Sequence, residues 1–169
     1  MTSKTSIIRK KCNLIKLILT DVDGVLTDGG MYYSEKGESL KKFHTRDGMG
    51  VELLREKNIP VVLVTREQSK IVLSRAKKLR IKDSFVGIMK KELLLPKICK
   101  KYGVNENEIA YIGDDLNDLE IMTKVGFTAC PNDAVIEIKK NSDYVCKLNG
   151  GKGVLREVAD LVIQFKNQN

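Results

Sequence analysis

Residues 16–30 have the sequence KLILTDVDGVLTDGG, and this stretch decides the fold of the chain. The apolar run at 17–19, closed by Thr20, predicts a buried strand, and Asp21 and Asp23 follow it directly. Side chains two residues apart on an extended chain point to the same side, and two such carboxylates repel each other unless a cation or a shared proton intervenes. Because oxygen ligands favour Mg²⁺, the stretch predicts a magnesium site or a raised carboxyl pKa at a strand end. An acidic turn exposed to solvent is the alternative.

Length and charge limit the possible functions. The 169 residues are enough for one domain with its own core, which we expect over residues 14–169. Five basic residues and no acidic ones lie within residues 1–16, so the formal net charge of +8 leaves only +3 for the rest of the chain. We expect residues 1–13 to be a loosely docked basic extension, and we expect no nucleic-acid or membrane partner.

The cysteines argue against a metal-thiolate site. Cys12, Cys99, Cys130 and Cys146 are widely spaced, without a CxxC pair, and His44 is the one histidine. Zinc sites need closely spaced Cys and His ligands, so zinc is not expected. The cysteines are typical of small apolar residues in a reducing compartment, which predicts a cytoplasmic protein. His44 is expected to pack or to form hydrogen bonds.

Strand and helix patterns alternate along the chain. Apolar runs at 59–64 and 109–112 predict further buried strands, and amphipathic segments predict helices beside them. The first of these helices is expected over residues 47–57, with Asp47 as its N-cap. The alternation predicts an α/β fold with a mostly parallel sheet covered by helices on both faces. Two short β-favouring pieces, residues 31–33 and 40–44, flank residues 34–38 and predict a β-hairpin inserted after the first strand, over about residues 29–45.

Polar residues follow three of the predicted strands. Beyond the Asp21 strand, Thr65 ends the second, and the third runs into the GDDLND segment at 113–118. Ligands of such sheets bind beyond the carboxyl ends of the strands, so these groups should meet at one edge. No GxxxxGK[ST] or GxGxxG phosphate loop is present. A carboxylate cluster with a hydroxyl and a lysine favours magnesium-dependent phosphoryl transfer.

Four motifs in this order resemble the haloacid dehalogenase superfamily of aspartate-nucleophile phosphatases. They are DVDGVLTDG at 21–29, Thr65, Lys91 and the GDDLND segment. The hairpin in place of a large cap domain, FHTRDGMG at 43–50 and GGKGVLREV at 150–158 are similar to the phosphatases of 2-keto-3-deoxy sugar acids. The resemblance implies a Rossmann-like three-layer sandwich and the hydrolysis of a small phosphorylated sugar acid.

The resemblance also implies a division of roles. Asp21 would be the nucleophile and Asp23 the general acid and then the base, while Thr65 and Lys91 would bind phosphoryl oxygens. Mg²⁺ would be held by Asp21, the Asp23 carbonyl and Asp114, with Asp115 and Asp118 supporting the ligands from behind.

Substrate and assembly follow from the resemblance as well. The residues expected to bind the sugar acid are Arg46, Arg66, Glu67 and Arg156. Arg66 stands where the family usually has glycine, and Glu67 is found in enzymes for nine-carbon acids, so an octulosonate 8-phosphate and a nonulosonate 9-phosphate both remain open. A homotetramer formed through the hairpins is expected, in which the C-terminal region reaches a neighbour's site.

Two other functional classes remain open. Signalling receiver domains also combine an acidic pair, a phosphorylated aspartate, a threonine and a lysine, but they place the accepting aspartate on a later strand and lack the hairpin. The second is an assembly module without strong activity, similar to the phosphatase-like domain of some CMP-sialic acid synthetases. The presence of Asp21, Asp23, Thr65 and Asp114 in this chain argues for activity.

Overall fold

The computed structural model describes residues 3–166, with the side chains from residue 5 onward. Strands and helices alternate along most of the chain, as predicted. The strands are β1 Leu17–Thr20, β2 Tyr32–Ser34, β3 Gly37–Leu40, β4 Val61–Val64, β5 Ser84–Phe85, β6 Ile109–Ile112, β7 Phe127–Cys130 and β8 Tyr144–Val145. The helices are α1 Ser3–Leu14, α2 Thr45–Glu56, α3 Lys70–Lys78, α4 Leu95–Tyr102, α5 Leu119–Met122, α6 Ile136–Lys140 and α7 Val154–Lys166.

Six strands form one parallel sheet in the order β5-β4-β1-β6-β7-β8. β1 lies between β4 and β6, with Ile18 opposite Val61 and Ala110. The carboxyl ends of these three strands therefore adjoin, which brings the residues that follow them to one edge of the sheet. The remaining pair, β2 and β3, forms the antiparallel hairpin, and no larger cap domain occurs within residues 3–166.

Each face of the sheet is covered by its own apolar layer. Ile18 points to the face where Leu54 of α2 and Val158 of α7 are buried, and α1 and α3 pack on the same side. Leu17 and Leu19 point to the opposite face, which α4, α5 and α6 cover. All four residues of β1 are buried, as expected for a central parallel strand. The predicted α/β three-layer sandwich is confirmed.

The N-terminal segment differs from the prediction of a loosely docked extension. From residue 3 onward it forms α1, in which Cys12 is fully buried. Lys11 pairs with Asp143 at 2.6 Å, and Lys166 Nζ of α7 donates to the Asn13 carbonyl at 3.0 Å. These tertiary contacts stabilise a helix that has no acidic residue in its first turn. Residues 1 and 2 lie outside the described part of the chain.

The start of α2 also differs from the prediction that Asp47 is its N-cap. His44 is the N-cap, and its Nδ1 accepts from the backbone N–H of Arg46 at 3.2 Å. Asp47 lies in the first turn and is buried, and its Oδ1 accepts from the backbone N–H of Arg156 at 3.1 Å. It therefore caps α7, a neighbouring helix, instead of its own.

Three of the cysteines are buried, and none forms a disulfide within residues 3–166. A membrane-spanning helix would need a longer apolar run than any helix in this part of the chain provides.

Candidate active site

Asp21 lies directly beyond β1 and is 4% exposed. Its backbone N–H donates to Ile112 at the end of β6 at 2.9 Å, so the sheet pairing continues one residue past the strand. One carboxylate oxygen accepts from the Val22 N–H at 2.7 Å, and the other is 2.7 Å from Lys91 Nζ. The carboxylate is thus held on both oxygens at the tip of the central strand.

Lys91 links Asp21 to the carboxylate motif after β6. It is fully buried, and its Nζ is 2.6 Å from Asp118 Oδ1. Tyr111 Oη also donates to Asp118 Oδ1 at 2.6 Å, while Asp118 Oδ2 accepts from the Asp114 N–H at 3.0 Å. Asp118 therefore accepts hydrogen bonds on both oxygens and orients the backbone that carries Asp114. The neighbouring Lys90 is exposed.

The cluster carries more negative than positive charge. Burial, together with Asp118, raises the pKa of Asp21 despite Lys91, and burial with Asp21 and Asp118 raises the pKa of Asp114 to about 8. Burial alone would lower the pKa of the Lys91 ammonium, but the carboxylates of Asp21 and Asp118 outweigh burial and raise this pKa. A bound cation would relieve this excess of negative charge.

The donor set fits a hard divalent metal. Oxygens of Asp21, Asp114 and Asp118 all lie within 4.8 Å of one another. Asp23 Oδ2 is buried as well, and it has no hydrogen-bond partner within the described part of the chain. Carboxylate oxygens are the ligands that Mg²⁺ prefers, so the predicted cofactor matches the chemistry of the site.

Gly24 is needed where the chain leaves the strand tip. It has φ +80°, and a Cβ there would lie 1.9 Å from Asp114 Oδ2. A side chain at this position would displace Asp114 from the cluster, and the left-handed backbone would be strained as well.

A cleft of about 230 Å³ opens beside the carboxylates. Asp21, Asp23 and Asp114 line it, together with residues that follow β4. Thr65 is buried there, and its Oγ1 accepts from the Glu67 N–H at 3.2 Å. The exposed residues Arg66 and Glu67 line the same cleft, as do Asp115, Asn117 and Met31. The Asp115 carboxylate accepts from the backbone N–H of Leu116 at 2.7 Å.

Two residues predicted to bind substrate lie elsewhere in the single chain. Arg46 and Arg156 line a separate cavity near the start of α7. The guanidinium of Arg156 pairs with Asp160 at 2.8 Å. The single chain thus does not bring these arginines into the carboxylate cleft, and their role in substrate binding remains a prediction.

Two contributors to the site were not predicted. Tyr111 belongs to a strand whose sequence looks uniformly apolar. Its hydroxyl contributes to the site because it donates a hydrogen bond to Asp118. Lys41, in the hairpin segment, pairs with Asp23 at 2.5 Å. The sequence signal for Tyr111 was a phenol within an apolar strand that ends in carboxylates. Lys41 looks like an ordinary surface lysine in the sequence, so no sequence signal pointed to it.

Comparisons with known proteins agree with this geometry. Residues 87–158 match the model of the haloacid dehalogenase-like hydrolases. The chain is 38% identical over 161 residues to the 3-deoxy-D-manno-octulosonate 8-phosphate phosphatase of Haemophilus influenzae, covering 95% of this chain and 89% of the relative. The corresponding Salmonella typhi enzyme is 37% identical over 90% of this chain and 81% of its own length.

Solved structures share the fold over nearly the whole chain. The cobalt-bound form of the Haemophilus influenzae phosphatase has a TM-score of 0.91 at 39% identity, covering 93% of this chain and 92% of that one. The Moraxella catarrhalis phosphatase, in complex with a magnesium ion, a phosphate ion and a KDO molecule, has a TM-score of 0.91 at 35% identity, with 95% and 92% covered. These similarities favour neither a receiver domain nor an assembly module. The chain belongs to the 3-deoxy-D-manno-octulosonate 8-phosphate phosphatase family of haloacid dehalogenase-like phosphoric monoester hydrolases.

Proposed function

We propose that this protein hydrolyses 3-deoxy-D-manno-octulosonate 8-phosphate to the free sugar acid and inorganic phosphate, with Mg²⁺ as cofactor. The observation that carries the proposal is the carboxylate cluster of Asp21, Asp114 and Asp118 beside Asp23, in a family whose relatives are named for this substrate. The magnesium-, phosphate- and KDO-bound relative supports the same chemistry.

Asp21 and Asp114, with the backbone carbonyl of Asp23, would hold the metal. When bound, Mg²⁺ neutralises the cluster and the negative charge of the phosphate. Asp118 keeps Asp114 and Lys91 in place through the hydrogen bonds described above.

The side chains of the protein then carry out the reaction in two halves. An Asp21 oxygen attacks phosphorus, forming an aspartyl phosphate, while the ester P–O bond breaks and Asp23 gives its proton to the departing alkoxide. In the second half, Asp23 takes a proton from water, whose oxygen attacks phosphorus and displaces Asp21. Inorganic phosphate leaves, and both carboxylates return to their starting states. Thr65 and Lys91 stabilise the phosphoryl oxygens during both transfers.

Arg66 and Glu67 are proposed to select the sugar acid. Both follow Thr65 at the end of β4 and line the cleft. A guanidinium can bind the substrate carboxylate through two hydrogen bonds, and a carboxylate can accept from sugar hydroxyls. The nine-carbon 9-phosphate predicted as an alternative carries the same carboxylate on a longer chain, so the spacing between its carboxylate and its phosphate differs.

The deciding experiment measures phosphate release from the eight-carbon and nine-carbon keto-acid phosphates, with Mg²⁺ and with EDTA. We expect preference for the eight-carbon substrate and loss of activity on metal removal. Asp21→Asn removes the nucleophile but keeps the shape, so it should abolish turnover. Magnesium-dependent turnover at the wild-type rate by Asp21→Asn would rule out the mechanism, and preference for the nine-carbon ester would overturn the substrate assignment.

A homotetramer formed through the hairpin is proposed as well. Met31, Tyr32, Tyr33 and Leu40 are 47–64% exposed, and several large apolar side chains exposed on one hairpin are typical of an interface. The patch borders the cleft through Met31, so a neighbour seated there would cover the site. Light scattering after size exclusion should give four times the chain mass, and a monomer at working concentration would contradict the proposal. We also propose that the reaction is cytoplasmic, consistent with four unpaired thiols.

A further inference from the structure

Lys41 is a buried lysine within an exposed hairpin segment. Its side chain is 1% exposed, whereas that of the next residue, Lys42, is 59% exposed. The Lys41 ammonium lies 2.5 Å from Asp23 Oδ1 and 2.7 Å from Glu38 Oε1. Burying an ammonium costs free energy unless charged partners compensate, so this arrangement is unlike that of a solvated surface lysine.

The contacts of Lys41 extend through Glu38 to the segment that follows β4, the strand next to β1 in the sheet. Glu38 Oε2 accepts from Ser69 Oγ at 2.5 Å. Ser69 is the N-cap of α3, and it follows the cleft residues at the end of β4. A hydrogen-bonded chain thus runs from Asp23 through Lys41 and Glu38 to Ser69, and it joins the hairpin to two strand tips.

This series of hydrogen bonds holds one oxygen of Asp23 and leaves the other free. Oδ1 accepts from Lys41 and, at 3.5 Å, from Thr27 Oγ1. Oδ2 is buried and has no hydrogen-bond partner among the described residues. Because Asp23 lines the cleft and its Oδ1 is held, Oδ2 is the carboxyl oxygen that remains available for proton transfer.

We propose that Lys41 is a positioning residue that holds Asp23 by Oδ1, so that Oδ2 exchanges the proton with the leaving oxygen and then with water. The proposal rests on the proposed phosphatase function. Glu38 offsets the ammonium charge, which makes Lys41 an anchor for the carboxyl group more than a source of positive charge. The hairpin therefore contributes to the chemistry within its own chain.

The test compares two leaving groups. Proton donation matters for the sugar-acid phosphate, whose leaving group is a basic alkoxide, and little for p-nitrophenyl phosphate, whose phenolate is stable without a proton. Lys41→Met should lower kcat for the sugar-acid phosphate by about 100-fold and kcat for the aryl ester by less than about threefold, since general-acid catalysis typically contributes factors of this size. KM should change little, and Lys41→Arg should restore most of the lost rate.

A double-mutant cycle provides a second readout that needs only the sugar-acid phosphate. In an Asp23→Asn background, Lys41→Met should cause less than about a twofold further loss, because there is no proton donor left to position. Lys42→Met is the matched control and should leave both activities unchanged. If Lys41→Met is not recovered folded, Lys41→Gln is measured instead, with the same expectations.

Equal losses on the two substrates, an undiminished rate in Lys41→Met, or additive losses in the Asp23→Asn background would overturn the role of Lys41. Failure of the proposed function would look different, because the wild-type protein would then release no phosphate from the sugar-acid ester, or Asp21→Asn would remain active.

Discussion

Asp47 should make the stability of the fold depend on pH in a way that one substitution removes. It is 3% exposed, its Oδ1 caps α7 through the Arg156 N–H, and its Oδ2 is buried with no hydrogen-bond partner among residues 3–166. Burial raises the pKa of the Asp47 carboxyl from 3.8 to about 6, against hydrogen bonds from the α7 backbone that lower it. Folding therefore favours the protonated form of Asp47 relative to the unfolded chain.

The sign and size follow from linkage. A group with a raised folded-state pKa stabilises the fold fully below its unfolded pKa, and this contribution is lost as the pH rises through the folded value. Between pH 4.5 and pH 7 the loss amounts to about 2 kcal/mol of unfolding free energy. Asp47→Asn keeps the oxygen that accepts from Arg156 but does not titrate. The free energy of unfolding of the variant, relative to wild type, should therefore rise by that amount over this interval.

Urea unfolding of both proteins in EDTA, at several pH values, measures this difference, and subtraction removes the titration of the carboxylate cluster. Asp160→Asn changes an exposed carboxylate on α7 and should show no such slope. A difference between Asp47→Asn and wild type that is flat with pH, or that falls as the pH rises, would refute the assignment of Asp47 as a buried cap.

Three other substitutions test the carboxylate cluster. Gly24→Ala should lower the affinity for Mg²⁺ and the rate at least about 10-fold, because its Cβ would displace Asp114; magnesium titration of activity measures both. Lys91→Met should lower the unfolding free energy by about 3–5 kcal/mol in EDTA, since it leaves buried carboxylates unpaired, and Mg²⁺ should recover part of the loss in urea unfolding. Tyr111→Phe removes one donor to Asp118 and should cost about 1–2 kcal/mol in the same assay, with an unchanged preference between substrates.

The convergence of the site was predictable from the sequence because it depends on local patterns. Apolar runs that end in Asp21, Thr65 and the 113–118 segment are short-range signals, and parallel strands bring their carboxyl ends to one edge of a sheet. The two-residue spacing of Asp21 and Asp23 similarly predicts an acidic tip. The inserted hairpin was predictable for the same reason, although its second strand is Gly37–Leu40 and begins earlier than expected.

The features that the sequence did not predict depend on contacts between distant residues. The helical N-terminal segment is stabilised by Lys11 with Asp143 and by Lys166 with Asn13, pairs with no local pattern. Asp47 precedes its own helix pattern so closely that it looked like a cap of α2, and only the packing of α2 against α7 gives it another partner. The pairing of Lys41 with Asp23 depends on how the hairpin folds back, which periodicity does not determine.

The loop before α7 has a consequence for the order in which the protein matures. The Gly151 N–H donates to the Val25 carbonyl at 3.0 Å, and a Cβ at Gly150 would lie 2.0 Å from the Gly24 carbonyl oxygen. The backbone just after Asp21 is therefore packed by residues that the ribosome adds more than a hundred positions later. During synthesis, the first strand and its aspartates leave the ribosome long before the loop that supports them. We therefore expect the backbone after Asp21 to reach its packed form only once residues 150–151 have left the ribosome.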